Sequence, residues 1–197
     1  VEKLVKVYKN TKVDAQMLKD ADVDAVILAI GSSPITIKLE GMDKLQHASA
    51  PEVLRHEVCP KGKVAVIGGG LVGLETADTL ATDGCDVTVL EMKDEIGSDL
   101  GSLRKIAVMM KLQQMQVKML PNSKVCKFTE EGIVLEDETL VPCNCAVFAV
   151  GFASNDSHLL VEECEKRQIP CRVIGDAKSA RRALDAIAEG FEAARTL

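Results

Sequence analysis

The chain has 197 residues, 47% of them hydrophobic, which is ample for a buried core and allows one large or two small domains. Its formal net charge is −6 and its basic residues form no cluster, which argues against nucleic acid and against anionic membrane surfaces. No apolar run approaches bilayer-spanning length and Val1-Glu2-Lys3 does not begin a secretory signal, so no membrane partner and a cytoplasmic location are expected.

Leu4-Val-Lys-Val-Tyr8 reads as a strand, and Val13 to Ala21 as a short helix with Asp14 near its start. Ala25-Val-Ile-Leu-Ala-Ile-Gly31 is a buried-strand pattern ending in a glycine; Ser32-Ser33 after it suits a phosphate contact or a simple turn. The pattern returns at Ala146-Val-Phe-Ala-Val-Gly151, a weak internal repeat. Each such strand is expected to close one nucleotide-binding domain at the carboxyl edge of its sheet.

The strongest signal lies between the two copies. Val64 to Ile67 is a continuous apolar run that suits a strand buried on both faces of a parallel sheet. Gly68-Gly-Gly70-Leu-Val-Gly73 follows, then a helix from Leu71 to about Asp83 and a second strand from Asp86 to Leu90 that ends in Glu91. Chemistry requires each part. Gly68 makes the tight turn, Gly70 lets backbone approach a diphosphate, and Gly73 followed by Ala77 lets the helix pack on its strand. The helix start offers backbone N–H groups and a positive dipole end, so an anion can bind without a lysine. A carboxylate at position 91 can accept hydrogen bonds from both ribose hydroxyls and would repel a 2′-phosphate, which favours NADH over NADPH, with Lys93 as the opposing charge.

Beyond Glu91, the acidic residues Asp94, Glu95 and Asp99 read as a solvated loop. Ser102 is placed as the cap of a helix bearing Leu103, Ile106, Ala107 and Met110, and the methionines between 109 and 119 read as core packing. Val117 to Leu120 is a strand, and Val125 to Glu136 a hairpin turning at Glu131-Gly132. After Gly151 come a strand at Cys171 to Ile174, then Gly175-Asp176, and a helix from about Ser179 to Leu197 with Ala183, Leu184, Ile187, Phe191 and Ala194 on one face. Arg181-Arg182 suits an anchor for a nucleotide or neighbouring domain, or a solvated face.

The seven cysteines contain no Cys-x-x-Cys, so no zinc ribbon or iron–sulfur motif is read; Cys143 and Cys145 are taken as buried reduced thiols. His47, His56 and His158 lack partners at ligand spacing and read as solvated or locally bonded. No metal site is expected. The fold class is therefore α/β: a Rossmann-like domain with a parallel sheet and a β-insert over residues 60–152, nested in an incomplete second Rossmann-like domain made of residues 1–59 and 153–197.

Asp24 to Pro34, Val66 to Ala77, Glu91-Met92, Phe148 to Phe152 and Val173-Ile-Gly-Asp-Ala177 with Arg181 to Gly190 together carry a family likeness. In these segments the chain resembles the C-terminal portion of the NADH:flavin oxidoreductases related to 2,4-dienoyl-CoA reductase, trimethylamine dehydrogenase and clostridial enoate reductases. The resemblance implies an FAD- or ADP-binding domain around an inserted NAD(P)H domain, with an N-terminal barrel carrying FMN and an iron–sulfur cluster. It also implies hydride transfer from NADH to flavin and reduction of an activated alkene or similar acceptor in the barrel.

Carried over by position, Gly68, Gly70, Leu71, Val72, Gly73 and Glu91 would hold NADH, with Gly151 opposite. Glu75 would lie near the nicotinamide end or serve only as a structural partner. Gly175 and Asp176 match the second flavin motif, where the aspartate accepts from the ribityl chain, and Ala29 and Gly31 would back the flavin or adenosine site. The cofactors supply the reactivity, so no catalytic acid or base is expected.

Neither a barrel, a four-cysteine motif nor a second glycine-rich turn occurs in the sequence. The expectation is thus an excised C-terminal piece, separated from the barrel domain of its own polypeptide, that binds NAD(H), does not retain FAD and has no turnover alone. Its uncovered sheet edge would favour a homo-oligomer. Two other readings stay open: a non-catalytic nucleotide-binding or interaction module, and a flavoprotein of the NADH oxidase or disulfide reductase type.

Overall fold

The computed structural model describes residues 4–197. The chain divides into an inner unit, Pro34–Gly151, and an outer unit formed by the segments on either side of it. In chain order the elements begin with α1 (Ala15–Asp20), β1 (Val26–Leu28), β2 (Ser32–Pro34), β3 (Gln46–Ser49) and α2 (Ala50–Leu54). Next come β4 (Lys63–Ile67), α3 (Leu71–Thr82), β5 (Asp86–Leu90), α4 (Ser102–Gln114) and β6 (Lys118–Leu120). Then follow β7 (Val125–Thr129), β8 (Gly132–Leu135), β9 (Leu140–Pro142), β10 (Cys145–Phe148) and β11 (Phe152–Ser154), and last α5 (His158–Lys166), β12 (Cys171–Val173) and α6 (Ala183–Thr196).

The inner unit is built on a five-stranded sheet in the order β3-β10-β4-β5-β6, parallel throughout. Alternate residues of a strand point to opposite faces, and here both faces are covered. Val64 and Val66 enter one core with Leu74, Ala77 and Leu80 of α3, Leu112 of α4 and Val87 and Val89 of β5. Ala65 and Ile67 enter a second core with Phe128, Ile133, Leu135 and Val141 of the antiparallel sheet β7-β8-β9. The β-insert thus replaces a helix layer on that face, which is why β4 and β10 read as unbroken apolar runs.

Two parts of this unit depart from expectation. Its boundary lies at residue 34 rather than 60, because β3 pairs along β10 (Gln46↔Cys145 to Ser49↔Phe148) and α2 buries Ala50 and Val53 in the helix-side core. The signal for α2 stands in the sequence: Ser49 and Glu52 form a capping box, the Ser49 N–H donating to Glu52 Oε2 at 2.7 Å, with Pro51 in the first turn. Further on, Ser102 is the first residue of α4 rather than its cap, which is Gly101.

The outer unit holds β1 parallel to β12, with Leu28 opposite Val173, and β2 beside β11. Asp14 caps α1 by accepting from the Met17 N–H, and the Arg167 guanidinium donates to the carbonyls of Leu18 and Ala21 at the other end of that helix. The expected strand at Leu4–Tyr8 does not form: no ladder receives it among the described residues, and Leu4 stays 88% exposed. An alternating apolar pattern needs a pairing partner to become a strand. The apolar face of α6 also meets little, for Leu184, Ile187 and Phe191 are exposed and only Ala193 is buried.

Candidate cofactor site

In an open parallel sheet a ligand binds beyond the carboxyl ends of the strands, where the strand order reverses. Here that point lies between β4 and β10, and the glycine turn leaves β4 there. Gly68 has φ +109°, and a Cβ on it would sit 2.4 Å from the Ala149 carbonyl oxygen that follows β10. A Cβ on Gly73 would lie 1.9 Å from the Gly68 carbonyl oxygen, so glycine is what lets the first turn of α3 close onto the loop. Gly70 is the N-cap of α3 and makes no side-chain bond to the helix end. The first N–H groups of a helix have no intrahelical acceptor, and those of α3 open toward this point.

Glu91 stands directly after β5 and is locked in place by its own backbone surroundings. Its Oε2 accepts from the Gly69 N–H at 2.7 Å and its Oε1 from the Lys93 N–H at 2.9 Å. Each carboxylate oxygen has two acceptor sites, so both remain able to receive a hydroxyl. Gly69 lets the carboxylate approach this closely, since a Cβ there would crowd the Glu91 Cβ at 3.0 Å and push it back. Within the Gly-x-Gly-x-x-Gly spacing Gly69 is a variable position, so the motif alone does not mark it.

These groups line a cleft of about 470 Å³. Gly68, Gly70, Leu71, Val72, Glu91 and Gly151 all face it, with Ile37, Leu39 and Val125 supplying an apolar wall. Gly73 is buried behind it. Glu75 lies outside the lining and forms an ion pair with Arg104 at 2.8 Å. Asp99, read from sequence as a solvated loop residue, also lines the cleft: its carboxylate oxygens lie 2.9 and 3.1 Å from the Leu71 amide nitrogen. No sequence pattern announces that contact, which bridges a loop and a helix start far apart in the chain.

The remaining candidates, Ala29, Gly31, Gly175 and Asp176, belong to the outer unit. Ser32 Oγ donates to Asp176 Oδ2 at 3.1 Å, and the Arg181 N–H donates to Asp176 Oδ1 at 3.2 Å, so the two segments of this unit meet at the aspartate. The Gly175 N–H donates to Glu189 Oε2 at 2.7 Å. Arg181 beside Glu189, together with that N–H, holds the Glu189 carboxyl down to about 2. Arg181 therefore anchors α6 to the Gly175 turn. No glycine-rich turn opening a helix occurs among the described residues of this unit, so its residues do not amount to a seat for the diphosphate of FAD.

Burial pushes the thiols of Cys143 and Cys145 up to about 11, which keeps both protonated and unreactive at neutral pH. His47 lies on β3, edge-on to Phe148 with centroids 6.0 Å apart, its Nδ1 3.2 Å from the Leu45 carbonyl. Among the described residues no group of three His, Cys, Asp or Glu side chains could hold a metal, and no helix is long and apolar enough to cross a membrane.

The family model for pyridine nucleotide-disulphide oxidoreductases matches residues 2–177. Bilirubin reductase of Mediterraneibacter gnavus is 36% identical over 191 residues, covering 93% of this chain and 29% of that protein. Cinnamate reductase of Clostridium sporogenes is 34% identical over 201 residues, covering 98% and 29%, and NADH oxidase of Thermoanaerobacter brockii is 31% identical over 198 residues, covering 96% and 30%. The chain thus spans under a third of these relatives' length. Among solved structures, a 2-naphthoyl-CoA reductase complex shares the fold with TM-score 0.83 at 24% identity, covering 95% of this chain and 29% of that one. Histamine dehydrogenase from Rhizobium sp. 4-9 does so with TM-score 0.80 at 14% identity, covering 95% and 33%. The likeness first drawn from the glycine turn and the outer motifs is borne out, and the chain belongs to the pyridine nucleotide-disulphide oxidoreductase family.

Proposed function

We propose that the inner unit is the NADH-binding part of a flavin-dependent oxidoreductase. The observation that carries this reading is Glu91, whose carboxylate is fixed against the glycine turn by the Gly69 N–H at 2.7 Å and faces the cleft at the end of β5. In this arrangement the start of α3 receives the diphosphate, Glu91 receives the 2′- and 3′-hydroxyls of the adenosine ribose, and the Ala149–Gly151 segment borders the other side. A 2′-phosphate placed beside Glu91 is repelled, so NADH is preferred to NADPH.

A flavin supplies the hydride-accepting chemistry in proteins of this kind. The outer unit contributes Gly175 and Asp176 toward it, with Ala29 and Gly31 on the neighbouring segment. With no second diphosphate seat among the described residues of the outer unit, the chain alone is expected to hold no FAD and to turn nothing over. The acceptor would be an activated alkene or a similar compound reduced in a barrel domain of the longer polypeptide; the reductases to which this chain is similar support that assignment.

The reading is tested by titrating NADH into isotopically labelled protein and following backbone amide resonances. The expected result is a set of shifts centred on Gly69, Leu71, Val72 and Lys93. Shifts confined to the outer unit, or none at millimolar NADH, would overturn it. Purified chain with a stoichiometric flavin absorbance band would overturn the statement on FAD.

A further inference from the structure

We propose that Asp99 is an internal anion that occupies the phosphate seat of the ligand-free inner unit and sets its nucleotide affinity by having to leave. The inference rests on the reading of this cleft as an NADH site.

Its basis is where the carboxylate lies. Both oxygens face the Leu71 amide nitrogen, at 2.9 and 3.1 Å, and Leu71 is the first residue of α3, a helix of 12 residues. That amide, at the positive end of the helix dipole, is the group a diphosphate would use. The carboxylate also covers the open side of Gly70, for a Cβ there would come 3.1 Å from Asp99 Oδ2. The space glycine leaves for backbone approach is thus taken up by a side chain of the same charge as the ligand.

The loop is built so that this side chain can move without its backbone. The Gly97 N–H donates to the Gly69 carbonyl at 2.7 Å, which ties the loop to the glycine turn ahead of Asp99, and the Leu100 N–H donates to the Gly97 carbonyl at 3.2 Å, which closes a turn around Asp99. Asp99 itself is exposed on the cleft wall, so rotation about its side-chain bonds carries the carboxylate into solvent. A diphosphate and this carboxylate cannot both sit on the same amide, and their like charges repel at that distance. Bound nucleotide therefore requires the open rotamer, and the closed one lowers affinity for phosphate-bearing ligands while leaving the ribose contacts of Glu91 untouched.

The test compares ADP with adenosine by calorimetry on the full chain and on Asp99→Asn and Asp99→Ser, the second keeping a short neutral oxygen at the helix end. Both variants are expected to bind ADP about tenfold more tightly than the wild type, with adenosine affinity unchanged within about twofold. Variants that bind both ligands with wild-type affinity, or that lose affinity for both as a damaged helix end would, overturn the role of Asp99 and leave the site assignment standing. Absence of ADP and adenosine binding in all three proteins overturns the nucleotide reading and this inference together.

Discussion

Gly73 behind the cleft and Glu91 and Asp99 on its wall each act through what they exclude or fix. Gly73 has no room for a methyl group, since the Gly68 carbonyl oxygen would lie 1.9 Å from its Cβ. Gly73→Ala is expected to destabilise the chain by about 2–3 kcal/mol in denaturant melts, as overpacking at a rigid backbone contact does. Glu91→Gln keeps the shape and removes the charge. It is expected to weaken NADH binding about tenfold and to narrow the preference over NADPH, measured by paired titrations. The glycines and Glu91 were legible in the sequence because their roles are local to one strand, turn, helix and strand. Asp99 was not, because its partner Leu71 belongs to a different segment and only the folded loop brings the two together.

At the scale of elements, buried strands announced themselves and marginal ones misled. β4 from Val64 onward and β10 are continuous apolar runs because helices cover one face and the β7-β8-β9 sheet the other. Ile133, fully buried in the second core, is the sensitive position there. Ile133→Ala is expected to cost about 2–5 kcal/mol in urea or guanidinium unfolding, whereas an exposed position of the same insert such as Leu140→Ala should cost about 1 kcal/mol or less. The segment at Leu4–Tyr8 has the alternation of a strand without a ladder to join, while β3 carries Gln46 and His47 and has one. Strand formation followed the available partner rather than the pattern, and α2 after β3 could have been found from its Ser49–Glu52 capping box.

At the scale of the molecule, the nesting of one unit inside another was readable from the repeat at Gly31 and Gly151, both of which adopt positive φ. The boundary at residue 34 was not, because no glycine or apolar run marks β3. The outer unit depends on ionic anchoring at Glu189. Its folded-state value of about 2 lies below the ordinary 4.5, so its contribution is whole above 4.5 and is lost as pH falls from there through 2. Hydrogen exchange at the Gly175 amide should accelerate across that window, and Glu189→Gln should remove the acid limb.

The cysteines divide by burial: an alkylating reagent near neutral pH is expected to modify Cys59 and Cys126 while Cys143, Cys145 and Cys164 react only after unfolding, as peptide mass mapping would show. The central claim is that Glu91 beside the glycine turn makes the inner unit an NADH site. Calorimetric titration of the chain with NADH and with NADPH tests it most directly. Stoichiometric binding of NADH, with NADPH weaker by about tenfold or more, is the predicted result. Tighter binding of NADPH, or no heat with NADH at all, would contradict it.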